Sequence, residues 1–138
     1  MSQTLSRSAR GEINHLPCVF ATALRQKCAV CSLALHDAEQ LLCSQPVARA
    51  TCAGLHGQLV DKSRFALGMR ADPRSSRTSK PEELRLQCGG LTGLRTVLDR
   101  DAMSIDVHRL LERLADKELD LLPWEQILRA IGAWSVNK

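Results

Sequence analysis

Tyrosine is absent from this 138-residue chain, and aromatic residues supply only 3% of it. A core must therefore come from Leu, Ala, Val and Ile, a palette that leans towards helix more than towards an aromatic-rich sheet. The same scarcity removes the stacking platforms that single-stranded nucleic acid requires. The basic run Arg70, Arg74, Arg77 and Lys80 is then expected to be a solubilising loop and not a nucleic-acid surface. No stretch approaches the roughly 20 apolar residues of a membrane span. Met1 to His15 carries Arg7, Arg10 and Glu12 without the apolar run of a signal peptide, so the expectation is a cytoplasmic protein with no membrane contact. Catalytic signatures are also missing. Gly89-Gly90-Leu91-Thr92-Gly93 follows no predicted strand and lacks the lysine of a phosphate loop. No nucleophile elbow appears, and no carboxylate pair stands isolated in apolar surroundings. The chain is read as a non-enzyme.

Cysteine is what the chain has in quantity. Five of the six lie between Cys18 and Cys52, in the order Cys18, Cys28, Cys31, Cys43, Cys52, and Cys28-Ala-Val-Cys31 forms a short pair. The sixth, Cys88, stands alone. A chain of this length can bury a core without disulfides, and in a reducing compartment grouped cysteines point to a metal or redox site. Thiolates are soft ligands that favour zinc and iron–sulfur clusters.

Charge is divided unevenly. Residues 1–95 carry a net +6 and residues 96–138 a net −2, within an overall +4. The basic excess lies with the cysteines, where Arg25, Lys27 or Arg49 would offset the negative charge of thiolates around a metal. A basic face of this kind suits an acidic protein partner, such as a redox enzyme, drawn in by electrostatic steering.

Periodicity predicts an all-α fold of about five helices. Leu16 to Lys27 reads as a short helix leading into the cysteine region. Ala29 to Leu42 has Leu33, Leu35, Ala38, Leu41 and Leu42 at approximately helical spacing. Ser44-Gln45-Pro46 is a restart signal for a helix over Val47 to Leu67, with Leu55, Leu59 and Phe65 as core candidates and Cys52 on the same inward face. Residues 68–80 form a polar, basic loop. Ser79-Lys80-Pro81-Glu82 matches a capping box, after which Leu84, Cys88, Leu91, Leu94 and Leu98 make an inward stripe that leaves Leu86 out. Gly89-Gly90 predicts close packing or a bend beside Cys88. Ser104 to Leu119 and Pro123 to Trp134 supply the last two helices, the first with Val107, Leu110, Leu111 and Leu114 inward, the second with Trp124, Ile127, Leu128, Ile131 and Trp134. The organisation expected is a cysteine-bearing helical half, 1–67, the loop, and a three-helix half, 81–138, packed together as one compact domain.

Zinc sites commonly gather two short ligand pairs. Here one exists, with no second Cys-x-x-Cys or His-x-His, although His15 three residues before Cys18 keeps zinc open. An iron–sulfur cubane is larger than one ion and can take one short pair and outlying single thiolates. Cys28, Cys31, Cys43 and Cys52 are the most economical set of four, with Cys18 and Cys88 as alternates. For Cys88, on its leucine stripe, simple packing is preferred. A thiol-redox role for the Cys28/Cys31 pair ranks below both metals because no βαβ context flanks it. Of the histidines, His36 and His108 read as helix-surface residues, and His56 sits near Cys52 at helical spacing.

The order of one pair and two singles is loosely similar to high-potential iron–sulfur proteins, but this chain lacks their loop- and glycine-rich character. Cys18 to Leu67 together with Cys88-Gly89-Gly90-Leu91 resembles small bacterial cysteine-cluster proteins. The resemblance implies a bound cluster and no particular reaction. The expected function is electron transfer or redox sensing through one [4Fe-4S] cluster, the alternative a zinc-stabilised adaptor for protein or nucleic-acid interaction.

Overall fold

The structure, a computed structural model, describes residues 16–37, 40–68, 79–115 and 117–135. The basic run Arg70, Arg74 and Arg77, and His15, lie outside the described residues. In chain order the elements are β1 (Leu16–Pro17), α1 (Ala21–Gln26), β2 (Ala34–Asp37), β3 (Gln40–Cys43), α2 (Pro46–Leu67), α3 (Lys80–Leu98), α4 (Val107–Leu114), a 3-10 turn (Leu119–Leu121) and α5 (Trp124–Ala133). The protein is mostly helical, but it is not purely α.

A three-stranded antiparallel sheet, ordered β1-β3-β2, replaces the helix expected over Ala29 to Leu42. β2 and β3 form a hairpin from Asp37↔Gln40 to Ala34↔Cys43, and β1 adds on the other side through Leu16↔Cys43 and Pro17↔Leu42. The reason is visible in β3. Leu41 and Cys43 are buried while Gln40 is exposed and Leu42 half-buried, a period of two over four residues. So short a segment carries too few apolar positions to separate that period from a helical one.

The helix starts follow the local chemistry. Pro46 occupies the first turn of α2, where its missing N–H costs nothing. Ser79 caps α3 by accepting a hydrogen bond at Oγ from the Glu82 N–H at 3.3 Å, and Asp106 caps α4 by accepting from the His108 N–H at 3.0 Å. α4 is only eight residues long, shorter than the span expected from Ser104 to Leu119.

α3 is the centre of the core. Leu86, Cys88, Leu91 and Leu94 are all fully buried, so Leu86, expected off the inward stripe, is more enclosed than the stripe's ends, Leu84 and Leu98, which are half-buried. The helix is covered on several sides at once, by α1, α2, α4 and α5. Its glycines permit the closest of these approaches. A Cβ at Gly89 would stand 2.6 Å from Ile131 Cα, and one at Gly93 3.0 Å from Ile127 Cα, so α5 lies directly on this glycine face. Close packing, not a bend, is the function of Gly89. Of the inward residues expected on α4 and α5, Val107, Leu110, Leu111, Leu114, Trp124, Ile127 and Ile131 are buried, while Leu128 and Trp134 are half-buried. Phe65 is not a core residue. It is 94% exposed, whereas Leu55 and Leu59 of the same helix are fully buried.

A buried polar link fixes α1 on α3. Gln87 accepts from the Ala23 N–H at 2.9 Å and donates to the Val19 carbonyl and to Glu83, and Glu83 also pairs with His56 of α2. Buried amides of this kind must be satisfied or cost free energy, and here one side chain serves three partners.

Candidate metal centre

β3 is the element that gathers thiols. Cys43 ends it, with β1 on one side and β2 on the other. Cys18 follows β1 and extends the pairing, its N–H donating to the Leu41 carbonyl at 2.8 Å. Cys31 precedes β2, its carbonyl accepting from the Ala34 N–H at 3.1 Å. Ser44 clamps the same end of the sheet, donating from both N and Oγ to the Leu33 carbonyl. Cys52 arrives from the second turn of α2, a helix tied to β1 where Arg49 Nε donates to the Pro17 carbonyl at 2.7 Å. Four chain segments thus deliver four free cysteines: Cys18 and Cys31 half-buried, Cys43 and Cys52 buried.

The electrostatics of these thiols show them to be neighbours. Burial pushes the Cys18 thiol up, Cys31 and Cys43 add to the rise, and the Phe20 N–H and the Arg49 guanidinium oppose it. Cys31 is raised by burial and further by Asp106 and Cys43, against hydrogen bonds from the Leu33 and His108 N–H groups. Cys52 is pushed up to about 12, first by burial, then by Cys31, Cys18 and Cys43, with Arg49 again opposing. Cys18, Cys31 and Cys52 are thus each raised in part by neighbouring thiols. Two features stabilise a thiolate here: the backbone N–H groups aimed at Cys18 and Cys31, and the Arg49 charge. Cys43 Sγ contacts the Gln45 carbonyl at 3.3 Å. Among the described residues no three His, Cys, Asp or Glu side chains close up as the ligands of a single metal ion. The four thiols share one region without converging on one point.

Cys28 is placed elsewhere. It is disulfide-bonded to Cys88 of α3, with Cα atoms 6.0 Å apart. The turn that sends it there is the end of α1, where Lys27 adopts a left-handed conformation, φ 68°, and the Cys28 N–H bonds back to the Ala23 carbonyl. Of the set Cys28, Cys31, Cys43 and Cys52, the last three lie free in one region with the alternate Cys18, while Cys28 is committed to Cys88. The other alternate, Cys88, is fully buried as expected, but as a bonded partner and not as a packed thiol. Cys18 was obscured because its position depends on pairing with a strand more than twenty residues away.

The remaining candidates resolve simply. His56 faces Glu83 and stacks edge-on against Phe20, away from any ligand role. His36 is exposed on β2. His108 is half-buried at the start of α4; its backbone N–H, the donor to the Asp106 cap, also acts on Cys31, and its ring Nδ1 lies 3.3 Å from Ser32 Oγ. No helix among the described residues is long and apolar enough to cross a membrane. Comparison with known protein families, curated proteins and solved structures gives no match.

Proposed function

We propose that the protein binds one [4Fe-4S]-type cluster through Cys18, Cys31, Cys43 and Cys52 and serves in electron transfer or redox sensing for a larger enzyme, without catalysis of its own. The observation that carries this reading is that four separate segments deliver four free cysteines to the region around the end of one small sheet, where Cys18, Cys31 and Cys43 all act on Cys52. Backbone N–H groups directed at the sulfurs support it, because such donors stabilise thiolate ligands and tune cluster potentials. Thiols that sense one another without closing on a point suit a centre spanning several atoms better than a single ion. The basic character of residues 1–95 fits docking to an acidic redox partner.

The test is anaerobic purification followed by a visible spectrum and by iron, zinc and sulfide analysis of the same sample. Iron with equivalent sulfide is expected, lost in Cys18→Ser and retained in Cys28→Ser. Zinc without sulfide would replace the redox role by that of a structural adaptor. Cluster loss in Cys28→Ser with retention in Cys18→Ser would refute the ligand set.

A further inference from the structure

The two sulfurs of the Cys28–Cys88 bridge are unequally placed. Cys88 is fully buried in the middle of α3. Cys28 is half-buried and lines a surface cavity of about 330 Å³. The walls of that cavity include Lys27, Arg95, Met103 and Ile105, so it offers two cations and an apolar side, and no carboxylate lines it. Arg95 is held at the rim by donating to the Ala102 carbonyl at 2.9 Å. Met103 is wholly exposed. Lys27 is the one non-glycine residue with a left-handed backbone among the described residues, and it directly precedes Cys28.

We infer that the cavity beside Cys28 is a thiol-exchange site for a small anionic thiol, with Lys27 and Arg95 receiving its carboxylates and Cys28 receiving its sulfur. The chemistry balances with that thiol as the reductant. Its thiolate attacks Cys28 Sγ from the cavity, forming a mixed disulfide while the Cys28–Cys88 bond breaks. Cys88 leaves as a thiolate and takes up a proton. A second molecule of thiol attacks the external sulfur of the mixed disulfide, releasing Cys28 as a thiol and a small-molecule disulfide. Two electrons pass from two thiols to the bridge, and two protons end on Cys28 and Cys88. Attack on Cys88 is blocked because no solvent reaches it. The cavity is set apart from the four free cysteines, whose residues do not line it.

The experiment uses the full chain, isolated without reductant, and two probes, glutathione (anionic) and cysteamine (cationic). Acid-quenched samples are analysed by intact mass and peptide mapping. Expected are a Cys28–Cys88 bridge at the start and a glutathione adduct on Cys28 in the course of reaction. Lys27→Asn keeps a residue that tolerates left-handed backbone while removing the charge. It should slow glutathione about fivefold, the scale of one charge contact in water, without slowing cysteamine. A Cys88→Ala variant, which leaves Cys28 as a free thiol, should take the adduct at Cys28 from glutathione disulfide even if Lys27→Asn folds poorly. Adducts confined to other cysteines, equal sensitivity of both probes to Lys27→Asn, or absence of the bridge would overturn the inference. Because the readout is the mass of the Cys28 and Cys88 peptides, it is independent of metal content at the other four cysteines.

Discussion

Alanine at Gly89 should weaken the protein, although alanine is the better helix former. In an open helical position the exchange of Gly for Ala gains about 1 kcal/mol. At Gly89 the new Cβ would lie 2.6 Å from Ile131 Cα, 3.1 Å from the Ala130 carbonyl oxygen and 3.1 Å from Trp134 Cβ. Two of those three atoms are backbone, so no side-chain rotation relieves the contact, and α5 must move off α3. That movement loosens Ile127 and Ile131 against Leu86, Leu91 and Leu94, all fully buried. Overpacking of a tight core costs about 1–3 kcal/mol, with lost dispersion contacts added. We expect Gly89→Ala to lose about 2 kcal/mol net, a fall in Tm of roughly 5–10 °C for a domain of this size. Gly54 and Gly57 on α2 provide the internal control, since a Cβ at either meets nothing within 4 Å. Gly54→Ala should gain about 0.5–1 kcal/mol. Thermal unfolding followed by circular dichroism at 222 nm, at matched metal content, measures all three. A Gly89→Ala protein as stable as Gly54→Ala would refute the packing of α5 on the glycine face.

Removing the disulfide by Cys28→Ala/Cys88→Ala should cost up to about 4 kcal/mol, from the entropy released by a bridge between residues 60 apart in sequence; denaturant unfolding against the unreduced wild type gives the value. In metal-free protein, stability should fall with rising pH between about 9 and 12, because the unfolded Cys52 thiol ionises there while the folded one keeps its proton. The slope is about −1.4 kcal/mol per pH unit. The raised Cys18 and Cys31 thiols act in the same direction, and no change from this source is expected below about pH 8. A Cys52→Ala variant should flatten the curve measured by denaturant titration at each pH. Gln87→Ala, which strands the Ala23 N–H and the Val19 carbonyl, should lose about 2–4 kcal/mol, with unchanged stability on equilibrium unfolding counting against the link between α1 and α3.

What the sequence disclosed and what it concealed follow from the range of the forces concerned. Pro46, the Ser79 cap and the stripe of Val107, Leu110, Leu111 and Leu114 are local signals, and the helices they announce are present. The sheet is non-local: β1 has two residues and pairs only with β3, more than twenty positions away. Reading helix over Ala29 to Leu42 therefore also hid the position of Cys18, which only strand pairing brings beside Cys43. The Cys28-Ala-Val-Cys31 spacing was legible, but not the left-handed Lys27 that points Cys28 towards α3. Leu86 was misplaced for a related reason, since a helix enclosed on several sides has no single apolar stripe to read.

The bridge between Val30 and the start of α4 bears on how the protein is made. Val30 donates to the Ile105 carbonyl and accepts from the Val107 N–H, each at 2.8 Å, and the His108 N–H that reaches Cys31 belongs to the same junction. These contacts join the cysteine region to residues synthesised more than seventy positions later. During translation the thiols of Cys18, Cys31, Cys43 and Cys52 emerge long before the backbone that completes their surroundings. At ribosomal rates of about 5–20 residues per second, they wait for several seconds in an open nascent chain. The surroundings of these thiols are therefore completed only after residues 105–108 have been made, and Cys28 is exposed to nearer thiols before Cys88 is synthesised.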